Sequence, residues 1–468
     1  MGDTPHPDQA TSPRGIMRGG LCIGCGCCVA QSSAPDARMI WDKRGQLKPA
    51  GGDWLDDSSP RFNRTCPFAP GARDEDALAS ALFPAAAYVD PDIGRFSRAY
   101  IGHVCEDGFR ALGSSGGMVS WTASELLRRG LVDGVAHVIA SPDPRREGLF
   151  FRYTISRTIE EVRAGACSRY YPTELSSVLR TIRARPGRYA VVGVPCFVKA
   201  INLQRAEDEM MRERIAYTLG LFCGHMKSAR FADSLALQMG VDPDDVVRVD
   251  YRIKAPGRPA SWYRARLTLG DGSTREKDWW HLADGDWGAG FFQNSACNFC
   301  DDVVAETADI SFGDAWVEPY SSDPQGTNVV VVRNPELEGI VRDAIGSHRL
   351  ALHETDAHFV RETQAAGLRQ RREGLAYRLE WRSPALALRK RVSDRPIALG
   401  RRRALIYRTR YRISMWSHRI FAFARRARLP AVYVWWAGTA LSLYQGLAYS
   451  RGAIGRICDT LLKGGSRR

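Results

Sequence analysis

The first fourteen residues, Met1 to Arg14, are polar and Pro-rich and contain no apolar run. A secretory signal needs an apolar stretch of roughly 7–15 residues there, so export by that route is not expected and the chain reads as cytoplasmic. Without an oxidising destination, the twelve cysteines point to metal or redox chemistry, not to a disulfide framework. The last quarter is short of acid. Residues 361–468 carry 25 Lys and Arg against 5 Asp and Glu, a net of +20. The whole chain is +14, which leaves the remainder at −6. Basicity therefore belongs to the tail. Within it, Leu429 to Ser450 lacks charge altogether for 22 residues. That length would allow a membrane span. Pro430, Thr439, Ser442, Gln445 and the glycines make it less apolar than a typical span, and its aromatics with flanking Arg suit an interface.

The rest is ordinary globular material, 44% hydrophobic and 25% charged, and 468 residues allow two or three domains. Its centre is one unit written twice. Arg188-Tyr-Ala-Val-Val-Gly-Val-Pro-Cys196 is a short apolar run ending at a cysteine, followed by an amphipathic segment from Phe197 to Met210. Arg214-Ile-Ala-Tyr-Thr-Leu-Gly-Leu-Phe-Cys223 repeats the design, with Ser228 expected to cap the helix that runs to Met239. Each run reads as a buried strand of a parallel sheet. In open α/β sheets ligands bind beyond the carboxyl ends of the strands, where Cys196 and Cys223 both fall. With Cys297 and Cys300 of Cys-Asn-Phe-Cys they make four soft ligands, the set of a tetrahedral iron or zinc centre.

A second set lies near the amino terminus. Cys22, Cys25 and Cys28 keep the C-x2-C-x2-C spacing of bacterial ferredoxin loops, and Cys66-Pro67 supplies a closing element. Gly24 and Gly26 keep the loop tight enough for three thiolates to wrap the corners of an iron–sulfur cube. The fourth ligand comes 38 residues after Cys28, so the compact ferredoxin spacing is absent. Cys27 is a spare thiol that could replace Cys28, and a structural zinc knuckle would use the same residues.

Gly113-Ser114-Ser115-Gly116-Gly117 precedes a helical segment, Met118 to Arg129, and a strand, Leu131 to Ala140. Amides at a Gly-rich helix start make a phosphate cradle, against the alternative of a plain turn. Arg169 and the Tyr170-Tyr171 pair would offer a nucleotide a cation and aromatic rings; Lys199 and Lys227 are candidate anion partners. Asp314 and Glu306 read as structural. Val246 to Trp280 predicts a β-hairpin insertion around Asp271-Gly272. Ala308–Trp316 and Asn328–Arg333 add strands. The expected fold is α/β. A parallel or mixed sheet core carries the hairpin insertion, an amino-terminal ferredoxin-like iron–sulfur segment and a basic helical tail. The expected parts are 1–80 (iron–sulfur), 95–185 (phosphate-cradle unit), 186–350 (second cluster) and 361–468 (tail).

Gly113–Gly117, Val194-Pro-Cys196, Phe222-Cys-Gly-His225, Cys297-Asn-Phe-Cys300 and Asp309-Ile-Ser-Phe-Gly-Asp314 occur in that order. The ordered set resembles the coenzyme F420 hydrogenase/dehydrogenase beta subunit family over roughly residues 20 to 335. The Cys22–Cys66 part is similar to the 7-hydroxymethyl chlorophyll a reductases. The family's usual Cys-His-Gly is here Cys223-Gly224-His225. The resemblance implies FAD, two 4Fe-4S clusters, and electron transfer between the flavin and a one-electron carrier such as ferredoxin or a deazaflavin. His225, beside the flavin in that reading, is a candidate proton donor, against the alternative of a histidine that hydrogen-bonds a backbone carbonyl. Two alternatives stand beside the resemblance: a ferredoxin-dependent reductase or polysaccharide-biosynthesis redox protein that uses no deazaflavin, and a non-catalytic zinc-stapled scaffold.

The tail follows its own plan. Arg371-Arg372, Arg389-Lys390-Arg391, Arg401-Arg402-Arg403 and Arg425-Arg426 alternate with apolar stretches. Contact with the inner membrane face or docking of a partner is expected, and nothing resembles a groove-reading nucleic-acid module.

Overall fold

The structure, a computed structural model, describes residues 11–255, 257–381, 390–392 and 398–462. Residues 1–10 and Arg389 of the second basic cluster lie outside the described residues. An eight-stranded mixed sheet forms the centre. Its strands are β1 (Arg98–Val104), β2 (Gly134–Ala140), β3 (Phe151–Ser156), β4 (Tyr189–Gly193), β5 (Ile215–Leu221), β6 (Ile310–Asp314), β7 (Asn328–Val332) and β8 (Leu350–Thr355). Their order in space is β8-β1-β7-β6-β5-β4-β2-β3. Neighbours among β2, β4, β5 and β6 pair in parallel; the remaining pairs are antiparallel. Every residue of β4 and β7 is buried, because helices or loops cover both faces of the sheet, and this is why they read as unbroken apolar runs.

Helix α1 (Met118–Arg128) packs Met118, Trp121 and Leu126 on one face of the sheet, against Val192, Leu219 and Val330. Helix α2 (Pro195–Glu207) packs Phe197, Ala200 and Ile201 on the other, against Val191 and Ile215. The third, α3 (Arg230–Gln238), begins after Ala229 and has no side-chain cap. Ser228 therefore does not cap it; its hydroxyl instead meets the His418 ring at 3.1 Å. The predicted hairpin forms as Arg264–Leu269 and Thr274–Asp278 around Gly272, whose φ of 82° only glycine adopts freely. Val246–Ile253 pairs alongside it as a third strand.

Beyond β8, helix α4 (Ala365–Arg371) leads into the tail helices α5 (Arg401–Ala427), α6 (Pro430–Tyr449) and α7 (Gly452–Leu462). Helices α5 and α6 pack on the body, and α7 packs on α6 and α5. Ile413, Phe421, Tyr433 and Tyr444 join one core with Phe231, Trp279 and Phe292. The Tyr433 hydroxyl donates to buried Asp284 at 2.9 Å. One side of the uncharged run thus faces protein, and no helix among the described residues is long and apolar enough to cross a membrane.

The basic clusters divide by destination. Arg372 and Arg391 reach Glu306 at 3.3 and 2.6 Å, and Lys390 reaches Asp301 at 3.2 Å. Both carboxylates are fully buried. The acid excess of the body is answered from the tail. Arg401, Arg408, Arg412, Arg419 and Arg426 stay exposed on α5.

Candidate functional site

Both cysteine sets close around hollows. Cys22, Cys25, Cys27, Cys28, Cys66 and Pro67 line the first. Its loop depends on Gly24 and Gly26, both at positive φ, 82° and 79°. A Cβ at Gly24 would stand 2.4 Å from the Leu47 carbonyl oxygen, and one at Gly26 would stand 2.3 Å from Glu174 Oε2. A hydrogen bond from the Cys27 thiol lowers the Cys25 thiol's pKa and raises that of Cys27. Cys22 is pushed up by burial and drawn back by Lys48, whose ammonium donates to the Cys22 carbonyl.

Cys196, Cys223, Cys297 and Cys300 line the second hollow, with Met226, Asp302 and Arg371. Cys196 sits in the first turn of α2, just past β4, and Cys223 lies two residues past β5, so parallel neighbours deliver both to one sheet edge. Cys297 and Cys300 come from a 3-10 turn, Ser295–Phe299, and the residue after it. Met226 N–H donates to Cys297 Sγ at 3.3 Å. Burial raises Cys297 and Cys300, and the Arg371 guanidinium opposes it. Ile23 and Phe68 line both hollows, which are therefore neighbours. Among the described residues no group of three or more His, Cys, Asp or Glu side chains is placed to hold a metal ion.

The Gly113–Gly117 loop lies at the same sheet edge. Val104 N–H donates to the Gly116 carbonyl at 2.9 Å, and Met118 N–H, in the first turn of α1, donates to Asn328 Oδ1 at 3.1 Å. A Cβ on Gly116 would meet the Gly102 carbonyl oxygen at 2.9 Å. Two cations that the sequence reading did not single out attend this loop. Arg252 donates to the Ser114 carbonyl at 3.1 Å and to Asp314 at 2.8 Å. Lys254 donates to the Ser115 carbonyl at 3.1 Å, and burial with nearby Arg110 pulls its pKa down to about 8. Ser168 N–H bonds Ser114 Oγ at 2.8 Å, which brings the Arg169-Tyr170 segment beside the loop. Arg169 pairs with Asp250 at 3.5 Å. Tyr170 packs on Tyr251, Trp279 and Trp287.

His225 is buried, stacks on Trp287, and has no partner on either ring nitrogen. Burial and the neighbouring Lys227 hold it well below the ordinary imidazole range, so it is neutral at pH 7. A neutral imidazole can accept a proton or donate Nδ1–H or Nε2–H, but it holds no spare proton to release as imidazolium. Lys227, also buried, lies 4.8 Å from the Trp287 ring centroid and 4.5 Å from that of Phe231, and burial lowers it to about 7. Lys199 is taken up elsewhere. It pairs with Glu75 at 3.1 Å, both side chains buried, and so joins the Asp301–Glu306 charge cluster in place of an anion site. Glu306, read as structural, holds Arg372 and Arg391 there.

Arg252 and Lys254 escaped sequence reading because both sit in the hairpin insertion, far from any motif. Their only signal was a pair of cations at alternate positions of one strand and its extension.

Two family models, the N-terminal and C-terminal parts of "Coenzyme F420 hydrogenase/dehydrogenase, beta subunit", match the chain. The first covers residues 99–180 and the second residues 187–358. The chain is 22% identical over 339 residues to the coenzyme F420-dependent sulfite reductase of Methanocaldococcus jannaschii, covering 69% of this chain. It spans 46% of that relative's length. Among solved structures, the xenon-derivatised F420-reducing NiFe hydrogenase complex of Methanosarcina barkeri contains a chain that aligns with TM-score 0.48 and 15% identity, over 65% of this chain and 99% of that one. Together the two matched segments take in more than half of the sequence, in the order and at the places where the strand-end cysteines lie: the chain belongs to the coenzyme F420 hydrogenase/dehydrogenase beta subunit family.

Proposed function

We propose that the chain is an iron–sulfur flavoprotein oxidoreductase. In this reading it passes electrons between FAD and two 4Fe-4S clusters, and on to or from a deazaflavin (coenzyme F420) or an organic substrate. The observation that carries the reading is the pair of neighbouring cysteine-lined hollows sharing Ile23 and Phe68 as a wall. Four soft thiol ligands at each hollow are the donor set that an iron–sulfur cluster takes. Cys22, Cys25, Cys28 and Cys66 would hold one cluster, with Cys27 kept protonated as a hydrogen-bond donor; Cys196, Cys223, Cys297 and Cys300 would hold the other. A flavin takes up a hydride and gives single electrons, and clusters carry those onward.

Gly113–Gly117 with Arg252 and Lys254 offers the amides and positive charge that a pyrophosphate needs, and Tyr170 lies beside the loop to meet a ring system. Arg169 serves this site by holding Asp250 and the adjoining chain. His225 is the candidate for handling a proton next to the second cluster. The parts 1–80, 95–185 and 186–350 then act as cluster, flavin and cluster segments, with a ferredoxin or deazaflavin as redox partner.

The tail, 361–468, supports a location at the inner face of an anionic membrane. Arg408, Arg412, Trp416, Arg419, Phe423 and Arg426 make an exposed stripe along one side of α5, and Trp435 projects from α6 at 73% exposure. Each such cation gains about 1 kcal/mol near an anionic surface, screened beyond about a Debye length. Co-sedimentation with anionic vesicles, reduced by salt, is expected, and protein left entirely in the supernatant rejects the membrane reading.

Anaerobic purification tests the core. About eight irons per chain and a flavin spectrum are expected, followed by a screen with reduced deazaflavin, reduced ferredoxin and NADH. Zinc without iron would reject the redox reading.

A further inference from the structure

Arg371 is the last residue of α4 and lies beyond residue 358, where the matched family segment ends. It is only 2% exposed and forms part of the wall of the second cysteine hollow. Its Nη1 donates to the Cys297 carbonyl at 2.7 Å and to the Cys300 carbonyl at 3.4 Å, and its Nη2 donates to the Gly224 carbonyl. One side chain therefore ties the turn carrying Cys297 and Cys300 to the turn that follows Cys223.

Its charge is harder to account for than its hydrogen bonds. A guanidinium stays protonated at any working pH. Burying it without an anion costs several kcal/mol even after relaxation. Among the described residues no Asp or Glu forms an ion pair with Arg371. The carboxylates Asp301 and Glu306 nearby are already engaged by Lys390, Arg372 and Arg391. Asp302 lines the same hollow but makes no ion pair with Arg371. What remains facing the guanidinium is the four sulfurs. Arg378 and Arg410 supply a contrast. They also donate to carbonyls of this region, those of Asn298 and Gly288, but neither lines the hollow.

We infer that Arg371 is a charge-setting and positioning residue for the one-electron centre held by Cys196, Cys223, Cys297 and Cys300. The inference rests on the cluster reading proposed above. A cluster bound by four thiolates is anionic, and gaining one electron makes it more so by one unit. A fixed positive charge at its edge, in a medium of low polarity, favours that reduced form and raises the reduction potential. The tail thereby becomes part of the redox site: the same segment that neutralises Asp301 and Glu306 also sets the electrostatics of the neighbouring centre.

The experiment uses the full chain, purified anaerobically, with Arg371→Gln, Arg371→Lys and, as a control, Arg378→Gln. Iron is counted, and each centre's midpoint is read by EPR during a dithionite titration. Absence of iron from the wild-type chain would defeat the cluster reading itself and is seen before any variant is made. With iron present, Arg371→Gln should lower the potential of one centre by at least a tenfold change in its reduction equilibrium, about 59 mV for one electron. The other centre, and both centres in Arg378→Gln, should stay near wild type. Arg371→Lys should keep most of the wild-type potential. Two unshifted centres with full iron in Arg371→Gln overturn the inference. If Arg371→Gln loses half the iron, Arg371→Lys decides: restored iron supports a requirement for charge, while loss there too assigns Arg371 to hydrogen bonding alone and overturns it.

Discussion

Trp287 lies against His225 with ring centroids 4.5 Å apart and 26° between the planes. Tyr170 also packs on the indole, with centroids 4.6 Å apart, and Cys223 is two residues from His225. A continuous line of rings thus joins the side of the Gly113–Gly117 loop to the second cysteine set. Gly224 makes the approach feasible, because a Cβ there would stand 2.4 Å from Trp287 Nε1. This gives a reason for Gly at 224 and His at 225. His225→Phe keeps the stack and removes both nitrogens. We expect full iron and flavin with turnover down by roughly 10²–10⁴, the usual worth of a positioned proton-transfer group. Turnover within a factor of two of wild type would reduce His225 to packing.

The two cysteine sets should be separable by mutation. Cys300→Ser is expected to remove about half the iron and leave the Cys22–Cys66 centre intact in its EPR spectrum. Cys27→Ser should leave all of the iron, since its thiol serves as donor to Cys25. Iron loss in Cys27→Ser with none in Cys28→Ser would exchange those two residues in the ligand list.

For the flavin, Gly116 is a poor probe, because a side chain there strikes the sheet edge before it reaches any phosphate. Lys254 is a better one. Its stem is part-buried, and its ammonium, already drawn down to about 8, reverses the local charge when it becomes Glu. Lys254→Glu should be purified with its iron and with little FAD. Stoichiometric FAD in that variant would remove Lys254 from the phosphate site.

The legible part of this protein was what repeats with a short period or sits at a strand end. Tyr189–Gly193, Ile215–Leu221 and Asn328–Val332 are buried on both faces, so their apolar runs were unbroken, and Cys196 and Cys223 followed them at the predicted edge. What was not legible depended on contacts between distant segments. Lys199 looked like a free cation until Glu75 met it from 124 residues away. Arg371, Arg372, Lys390 and Arg391 read from the sequence as basic clusters for membrane contact or partner docking. Their partners are two main-chain turns and the buried carboxylates of Asp301 and Glu306, which no local pattern announces. Ser228 had the right residue type for a cap but is held by His418 from the tail.

That same contact makes docking of the tail sensitive to pH. His418 Nδ1 donates to the Ser414 carbonyl at 3.0 Å, which leaves Nε2 to accept from the Ser228 hydroxyl at 3.1 Å. Burial lowers its pKa from 6.5 to about 4, and buried His137 is lowered to about 4 as well. Between those values the unfolded chain binds protons that the folded chain does not. Stability is therefore complete above about pH 6.5 and is lost as pH falls toward 4, by up to about 3 kcal/mol per histidine. The thermal midpoint should drop across that window, and less steeply in His418→Gln. A midpoint flat from pH 7 to 4.5 would show that neither histidine is held neutral.

Charge alone would place a removable appendage after residue 360, but burial argues the opposite. Ending the chain at Gly367 would delete Arg371, Arg372, Lys390 and Arg391 together. Asp301 and Glu306, both fully buried, would lose every one of those cations, and Glu75 would keep Lys199 as its close partner. Breaking one buried pair from one side costs about 3–5 kcal/mol, and two such losses reach the whole stability of an ordinary domain, roughly 5–15 kcal/mol. The truncated chain is expected to be insoluble or, if recovered, to lack the iron of the second site. A cut after Arg428 spares all four cations and removes only α6 and α7. It exposes Phe292 and Asp284, which Tyr433 covers, so reduced thermal stability with iron retained is expected there. Soluble yield and iron content of the two truncations, measured side by side, check the claim. A soluble 367-residue chain with full iron would mean that the carboxylates of Asp301 and Glu306 are neutralised from within the body.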